Sequence, residues 1–255
     1  MNLVYVYDGT LEGFLCCVYE SFARRELPSD IQTDGGQMCF FEQSRWVETN
    51  DVHAAKVFGS LRQKIGLECQ DFIRKAFLSC VDRKEILMYR FIMKGYQMGP
   101  GVFNHLTDDV VNRLSKAVLG VSRETHNYLG FVRFRIWQNV MISSITPKNW
   151  VLPLLSAHFA DRYPDESFLI YDKTHSMALI HRPYQGCLLT HLDEDAVPKA
   201  EDDRKLYEEL WQRFHESISI SERKNLRCQM SHLPKRYWAD LTENLFAEAF
   251  EKLSD

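Results

Sequence analysis

Gly130-Phe131-Val132-Arg133-Phe134-Arg135-Ile136-Trp137 is where this chain changes its period. Upstream, apolar residues recur every three or four positions. Here Val132, Phe134 and Ile136 fall on one side of an extended chain, and Phe131, Arg133, Arg135 and Trp137 on the other. The alternation predicts a strand, and 140–145 predicts its hairpin return. Residues 168–171, 177–181 and 187–190 read as three more short strands.

Before the switch, 3–7 is a β-branched and aromatic run, so a strand is expected there. Asp8-Gly9-Thr10 offers cap oxygens to a helix bearing Leu11, Phe14, Leu15, Val18 and Phe22. Residues 52–97 are helical in pattern, with one stripe at Val57, Leu61 and Ile65 and another at Phe72, Ile73, Ala76, Phe77 and Cys80. Thr107-Asp108-Asp109 opens a helix expected to run to about Tyr128. Pro153 suits the first turn of a helix after Asn149, and 197–204 is a polar link into a long helix carrying Leu206, Leu210, Trp211 and Phe214. The order predicts an α+β fold without βαβ alternation: an antiparallel meander sheet with helices packed on it, preceded by a helical region. Gly99-Pro100-Gly101 is the best internal boundary. It separates 1–100, an N-terminal strand plus helical region, from 101–255, the α+β core, unless the two form one continuous domain.

The 255 residues are 45% hydrophobic and 26% charged, which excludes a disordered chain. A net charge of -4 argues against a generic nucleic-acid coat but leaves room for a local basic face. No apolar run approaches the roughly 20 residues that span a bilayer. Residues 1–8 lack the basic start of a signal peptide. Seven cysteines, an odd count scattered through apolar stretches, fit reduced thiols. A cytoplasmic protein with no membrane partner is therefore expected.

Val6-Tyr7-Asp8-Gly9-Thr10 approaches the Asp-x-Asp-Gly-Thr signature of haloacid-dehalogenase-like phosphatases. Val6, however, stands where that chemistry needs its carboxylate nucleophile, so Asp8 is expected to serve as a helix cap. No paired Cys-x-x-Cys, zincin helix, phosphate loop or dinucleotide fingerprint is present. No cofactor and no metal are expected, the nearest ligand set being His181, Cys187 and His191. Charge is sorted instead. Between 113 and 135, Arg113, Lys116, Arg123, Arg133 and Arg135 face the single acid Glu124. Between 221 and 238, Arg223, Lys224, Arg227, Lys235 and Arg236 face the single acid Glu222, and Tyr237-Trp238 follow directly. Cations beside rings suit phosphates and stacked bases; solvated faces, salt bridges and a core Trp238 would use the same residues. Residues 193–209 are acidic.

Four ordered stretches carry a resemblance. They are Tyr7-Asp8-Gly9-Thr10-Leu11-Glu12-Gly13-Phe14, His126-Asn127-Tyr128-Leu129-Gly130-Phe131-Val132-Arg133-Phe134, Val151-Leu152-Pro153-Leu154-Leu155-Ser156-Ala157-His158-Phe159-Ala160-Asp161-Arg162, and Glu222-Arg223-Lys224-Asn225-Leu226-Arg227 with Pro234-Lys235-Arg236-Tyr237-Trp238. Together they resemble the DUF4130 family, associated with DNA metabolism and repair. Leu226 departs from the proline common there. The resemblance implies a companion radical-SAM protein and proximity to damaged or modified DNA. Some relatives are fused to a uracil-DNA-glycosylase-like domain, whose cluster-binding cysteines this chain lacks.

The expectation is a DNA-binding accessory protein partnering a radical-SAM enzyme. Arg133, Arg135, Arg223, Arg227, Lys235 and Arg236 would hold phosphates, and Tyr237 or Trp238 would stack on a base. Two alternatives stand beside it. One is an enzyme acting on a nucleobase or nucleotide through His126 or His158 and a carboxylate, with Arg162 as a further functional candidate. The other is a protein-interaction module using the acidic 193–209 region. Whether any catalysis occurs is left open by the sequence.

Overall fold

A computed structural model describes residues 2–34, 42–197, 228 and 231–241. The expected long helix after 204, with Arg223 and Arg227, lies outside the described residues. The chain forms two compact units that divide between Arg123 and Glu124.

The first unit is built on β1 (Asn2–Tyr7), flanked by β2 (Asp30–Thr33) and β3 (Glu42–Trp46), both parallel to it. Val4, Tyr5, Val6 and Tyr7 are all buried. A parallel strand covered on both faces has no polar side to alternate with. Between β1 and β2 runs α1 (Leu11–Arg24), so the chain opens with a βαβ unit that the sequence reading did not contain. Thr10, not the expected Asp8, caps α1, its Oγ1 accepting from Gly13 N at 2.9 Å while Asp8 Oδ1 holds Thr10, and Arg25 closes the helix in the left-handed conformation. α2 (Asp51–Lys64) starts on Asn50, whose Oδ1 accepts from Val52 N and His53 N.

α3 (Glu68–Phe77) and α4 (Lys84–Met98) complete the core, in which Ile65, Ile73, Phe91 and Ile92 are fully buried. Lys84 Nζ donates to Phe77 O at 2.6 Å and so closes α3. Gly99-Pro100-Gly101 begins a 3-10 turn, Gly99–Asn104, within this unit. It leads into α5 (Asp109–Phe131), where Asp108 Oδ1 accepts from Val110 N and Val111 N.

The second unit holds a five-stranded sheet in the order β4-β5-β6-β7-β8. The strands are β4 (Arg135–Trp137), β5 (Val140–Ile145), β6 (Phe168–Asp172), β7 (Met177–Arg182) and β8 (Gly186–His191). Three of the pairings are antiparallel, but β5 and β6 run parallel, with Ile145 opposite Asp172. The sheet is therefore mixed, not the pure meander expected. The physical reason is the long 146–167 connection. It carries α6 (Leu152–Arg162) back along the sheet, whereas a tight turn would have forced an antiparallel return.

The predicted strand at 131–137 is also corrected. α5 continues through Phe131, because Tyr128 and Phe131 pack their rings on Tyr237, each at 5.1 Å between centroids. Only Arg135–Trp137 is extended, turned into β5 by Gln138 and Asn139 with φ 44° and 67°. The core gathers Ile145, Val151, Leu152, Leu155, Phe159, Phe168, Ile170 and Leu179. Among the described residues no helix is long and apolar enough to cross a membrane.

Candidate functional site

Glu124, in the second unit's part of α5, is 1% exposed. Burying a carboxylate is costly unless its lone pairs are filled and its charge is met. Oε1 accepts from Lys148 N at 3.0 Å, and Oε2 from Asn149 N at 2.9 Å and Asn149 Nδ2 at 2.6 Å. Arg236 Nη1 stands 3.2 Å from Oε1 and supplies the charge. One buried anion thus ties together α5, the loop after β5 and the 3-10 helix Lys235–Asp240.

That tie decides the fate of the predicted base-stacking rings. Tyr237 is 1% exposed, and its hydroxyl accepts from Asn127 Nδ2 at 3.1 Å and from Arg236 Nη2. Trp238 is 9% exposed, with Nε1 donating to Leu233 O at 3.0 Å. Both expectations are corrected. Neither ring presents a face to a base, because each contributes more by filling the core with its polar atom satisfied. The Arg236 guanidinium lies 4.5 Å over the Tyr237 ring and is about half exposed, with its charge matched by Glu124.

The remaining predicted residues spread over the unit. Arg133 Nη1 donates to Gly130 O at 2.8 Å and to Val132 O at 3.3 Å, closing the carboxyl end of α5. Arg135 is exposed on β4 opposite Ile142, about 10 Å along the strand from the end of β5. Lys235 is exposed, its Nζ 6.0 Å from the Trp238 ring centre. His126 is exposed on α5. α6 buries Leu152, Leu155 and Phe159, which leaves His158 and Arg162 exposed one turn apart. In the β7–β8 hairpin Cys187 pairs with His181, but His191 pairs with Met177 at the far end, about 13 Å away. His181 Nδ1 is engaged by Glu166 O at 2.9 Å, and no group of three metal-binding side chains forms among the described residues.

Sequence reasoning missed the polar cluster at the carboxyl ends of the parallel pair β5 and β6. Asp172, the last residue of β6, is fully buried. Its Oδ1 accepts from Thr174 N and His175 N, and its Oδ2 lies 2.6 Å from His175 Nδ1. An ionised carboxylate only accepts, so Nδ1 carries the hydrogen, and in the neutral ring Nε2 is the nitrogen with the lone pair.

Beside this pair, Asp240 holds Thr146 from both oxygens: Thr146 N donates to Oδ2 at 2.8 Å and Thr146 Oγ1 to Oδ1 at 2.9 Å. Burial pushes the Asp240 carboxyl above the usual carboxylate range, more than the Thr146 bonds and the Lys173 charge lower it, and the Asp172 charge adds to the rise. Lys148 and Lys173, which follow the two strand ends, are exposed. Lys173 N donates to Ile145 O at 3.0 Å, which fixes the two loops against each other. The legible signal was Asp172-Lys173-Thr174-His175 in a four-residue hairpin, a spacing that folds an imidazole back onto a carboxylate.

A search of solved structures finds a pGpG-specific phosphodiesterase, PggH, from Vibrio cholerae, at 10% identity and a TM-score of 0.32 over 70% of this chain and 80% of that one. No curated protein matches the sequence. The model of the family described as a domain of unknown function, DUF4130, matches residues 82–243, and the chain belongs to that family.

Proposed function

We propose that this protein binds nucleic-acid phosphates, DNA first among them, on the exposed lysines at the carboxyl ends of β5 and β6. The observation that supports the reading is the gathering of cations from distant segments. Lys148 follows β5, Lys173 follows β6, and Lys235 leads a 3-10 helix that is anchored on Thr146 through Asp240 and on Glu124 through Arg236. Crevices at the carboxyl ends of parallel strands are where α/β sheets place ligands. The rim is lysine rather than stacked aromatics, so contacts to the backbone and not to bases supply the affinity. In this reading Arg236 shapes the rim and Arg135 adds a cation further along the sheet. The chemistry of a DNA lesion falls to a radical-SAM partner, a role that rests on the resemblance of the four sequence stretches.

Fluorescence anisotropy of a labelled 20-residue DNA strand across a salt series tests this. Each phosphate contact contributes a slope of about −0.7 to −0.9 in log K against log salt. The triple variant Lys148→Ala, Lys173→Ala, Lys235→Ala is expected to make the slope shallower by about two. An affinity independent of salt, or a slope unchanged in the variant, overturns the proposal.

The His/carboxylate alternative is favoured by one specific observation, the 2.6 Å contact between His175 and Asp172. The histidine concerned is neither His126 nor His158.

A further inference from the structure

The Asp172–His175 pair is more than the closure of a hairpin. Two backbone N–H groups donate to Asp172 Oδ1 across the turn, and the ring contact uses the other oxygen, Oδ2. What the contact does is fix the ring. It sets the tautomer and leaves Nε2 as the nitrogen able to accept a proton, on a side chain that is 29% exposed above a carboxylate that is 0% exposed. Asp240 is bonded to Thr146, which directly follows Ile145, the residue opposite Asp172 in the β5–β6 register. An oriented imidazole, a carboxyl shifted toward its protonated form and a lysine therefore lie where β5 and β6 end. A proton acceptor and a proton donor with a cation nearby are what acid–base catalysis of phosphodiester transfer uses.

We propose that His175, oriented by Asp172, and Asp240 form an acid–base centre that breaks a phosphodiester bond of a strand held by Lys148 and Lys173. The inference rests on the phosphate-binding reading above. In the step, a hydroxyl oxygen, from water or from a neighbouring 2′-hydroxyl, bonds to phosphorus as its proton passes to His175 Nε2. The phosphorus bond to the departing sugar oxygen breaks, and that oxygen takes the proton of Asp240. Lysine ammonium groups balance the negative charge that builds on the non-bridging oxygens. One proton is accepted and one released, and exchange with solvent resets both groups. His175 and Asp240 are the catalytic residues; Asp172 is a positioning residue.

The test uses the full chain with 5′-labelled DNA and RNA strands of one sequence, binding being read by anisotropy and cleavage by gel. Cleavage of both strands identifies water as the nucleophile. Cleavage of RNA alone, leaving a 2′,3′-cyclic phosphate, identifies the sugar hydroxyl. Either result supports the centre if His175→Gln lowers cleavage at least about 100-fold while affinity stays within about twofold.

Asp240→Asn is expected to remove the alkaline limb of the pH profile, with Asp172, Lys173 and Tyr128 the charged or titratable groups that act on it. Asp172→Asn should shift the acidic limb, an effect that a purely structural role would not produce. His158→Gln leaves cleavage unchanged, and circular dichroism separates misfolded variants from inactive ones. Binding of both strands without cleavage of either, or cleavage that survives His175→Gln in a folded protein, overturns this inference and leaves the binding proposal intact. Failure to bind overturns both.

Discussion

Each unit ends a set of parallel strands with an aspartate that holds a threonine, and the two aspartates behave oppositely. In the first unit Asp8 Oδ1 accepts from Thr10 N at 2.9 Å and Thr10 Oγ1 at 2.7 Å, and Oδ2 from Thr49 Oγ1 at 2.7 Å. In the second, Asp240 takes the backbone N–H and the hydroxyl of Thr146. Burial raises both carboxyls, but Asp8 is exposed, and its hydrogen bonds win and bring it below the ordinary range. Asp240 is half-buried, and there burial wins. The same donor pair therefore sits on a carboxyl whose hold on its proton is loosened in one place and tightened in the other. The first strand end is also closed. A methyl group on Gly13 would lie 2.2 Å from Asp8 Oδ1, 2.8 Å from Thr49 Oγ1 and 3.0 Å from the Tyr7 ring. The polar groups there are spent on one another, whereas the bond of His175 to Asp172 uses only Nδ1, with exposed lysines near it in the chain.

The comparison breaks hardest at Glu124. The second unit's strand ends rest on a buried anion, so Glu124→Gln leaves Arg236 without its charge partner and turns an amide donor toward N–H donors. A loss of about 3 kcal/mol in urea unfolding of the full chain is expected, in line with other buried pairs broken from one side. A loss below about 1 kcal/mol would mean that Arg236 is met by solvent and that the anchor is weak.

Gly13→Ala probes the closed end. Alanine improves helix propensity by about 1 kcal/mol. The new methyl must displace Asp8 and Thr49 from their bonds, a steric cost of about 3 kcal/mol. A net loss of about 2 kcal/mol in thermal unfolding is expected. A neutral or stabilising substitution would show that Asp8 swings away freely, and the first site would no longer count as closed.

How much of this contrast was legible depends on what each residue competes with. Thr10, Pro153 and the stripes of α1 to α4 were readable because caps and helical spacing are local. The direction of strand pairing was not. Ile145 and Phe168 look the same whether their strands run parallel or antiparallel, and only the packing of α6 in the connection decides. Phe131 was misread because the alternating run 131–137 is short, and the Tyr237 ring, from far along the chain, holds it in α5. Tyr237 and Trp238 beside Lys235-Arg236 looked like a stacking platform because burial is a tertiary property. The His175–Asp172 pair was visible as residues but not as a site, since nothing local says that Asp240 arrives beside it.

Asp8→Asn carries a smaller effect. Its amide keeps one acceptor and loses the charge-assisted bonds, for about 1 kcal/mol near neutral pH. The pH dependence is the sharper measure. The folded Asp8 carboxyl sits below its unfolded value, so its contribution is present above about pH 4 and is lost as pH falls through the folded value. Urea midpoints from pH 2 to 6 should fall less steeply with acid in the variant. Equal slopes would remove Asp8 as a fixed anion.

Asp240→Asn has the smallest expected effect and the opposite sign. The folded carboxyl holds its proton more tightly than the unfolded one. Stability therefore falls as pH rises from about 4 through the folded value, and the cost of ionisation is constant above it. Asparagine is never ionised and keeps an oxygen for Thr146. At pH 7 the variant should match or exceed the native chain by a few tenths of a kcal/mol, while at pH 4 the native chain should regain the advantage. A variant less stable at pH 7 than at pH 4, relative to the native chain, would mean that Asp240 is held as an anion like Asp8. The burial that separates the two aspartates would then not be what sets their protons, and Asp240 would have no proton to give.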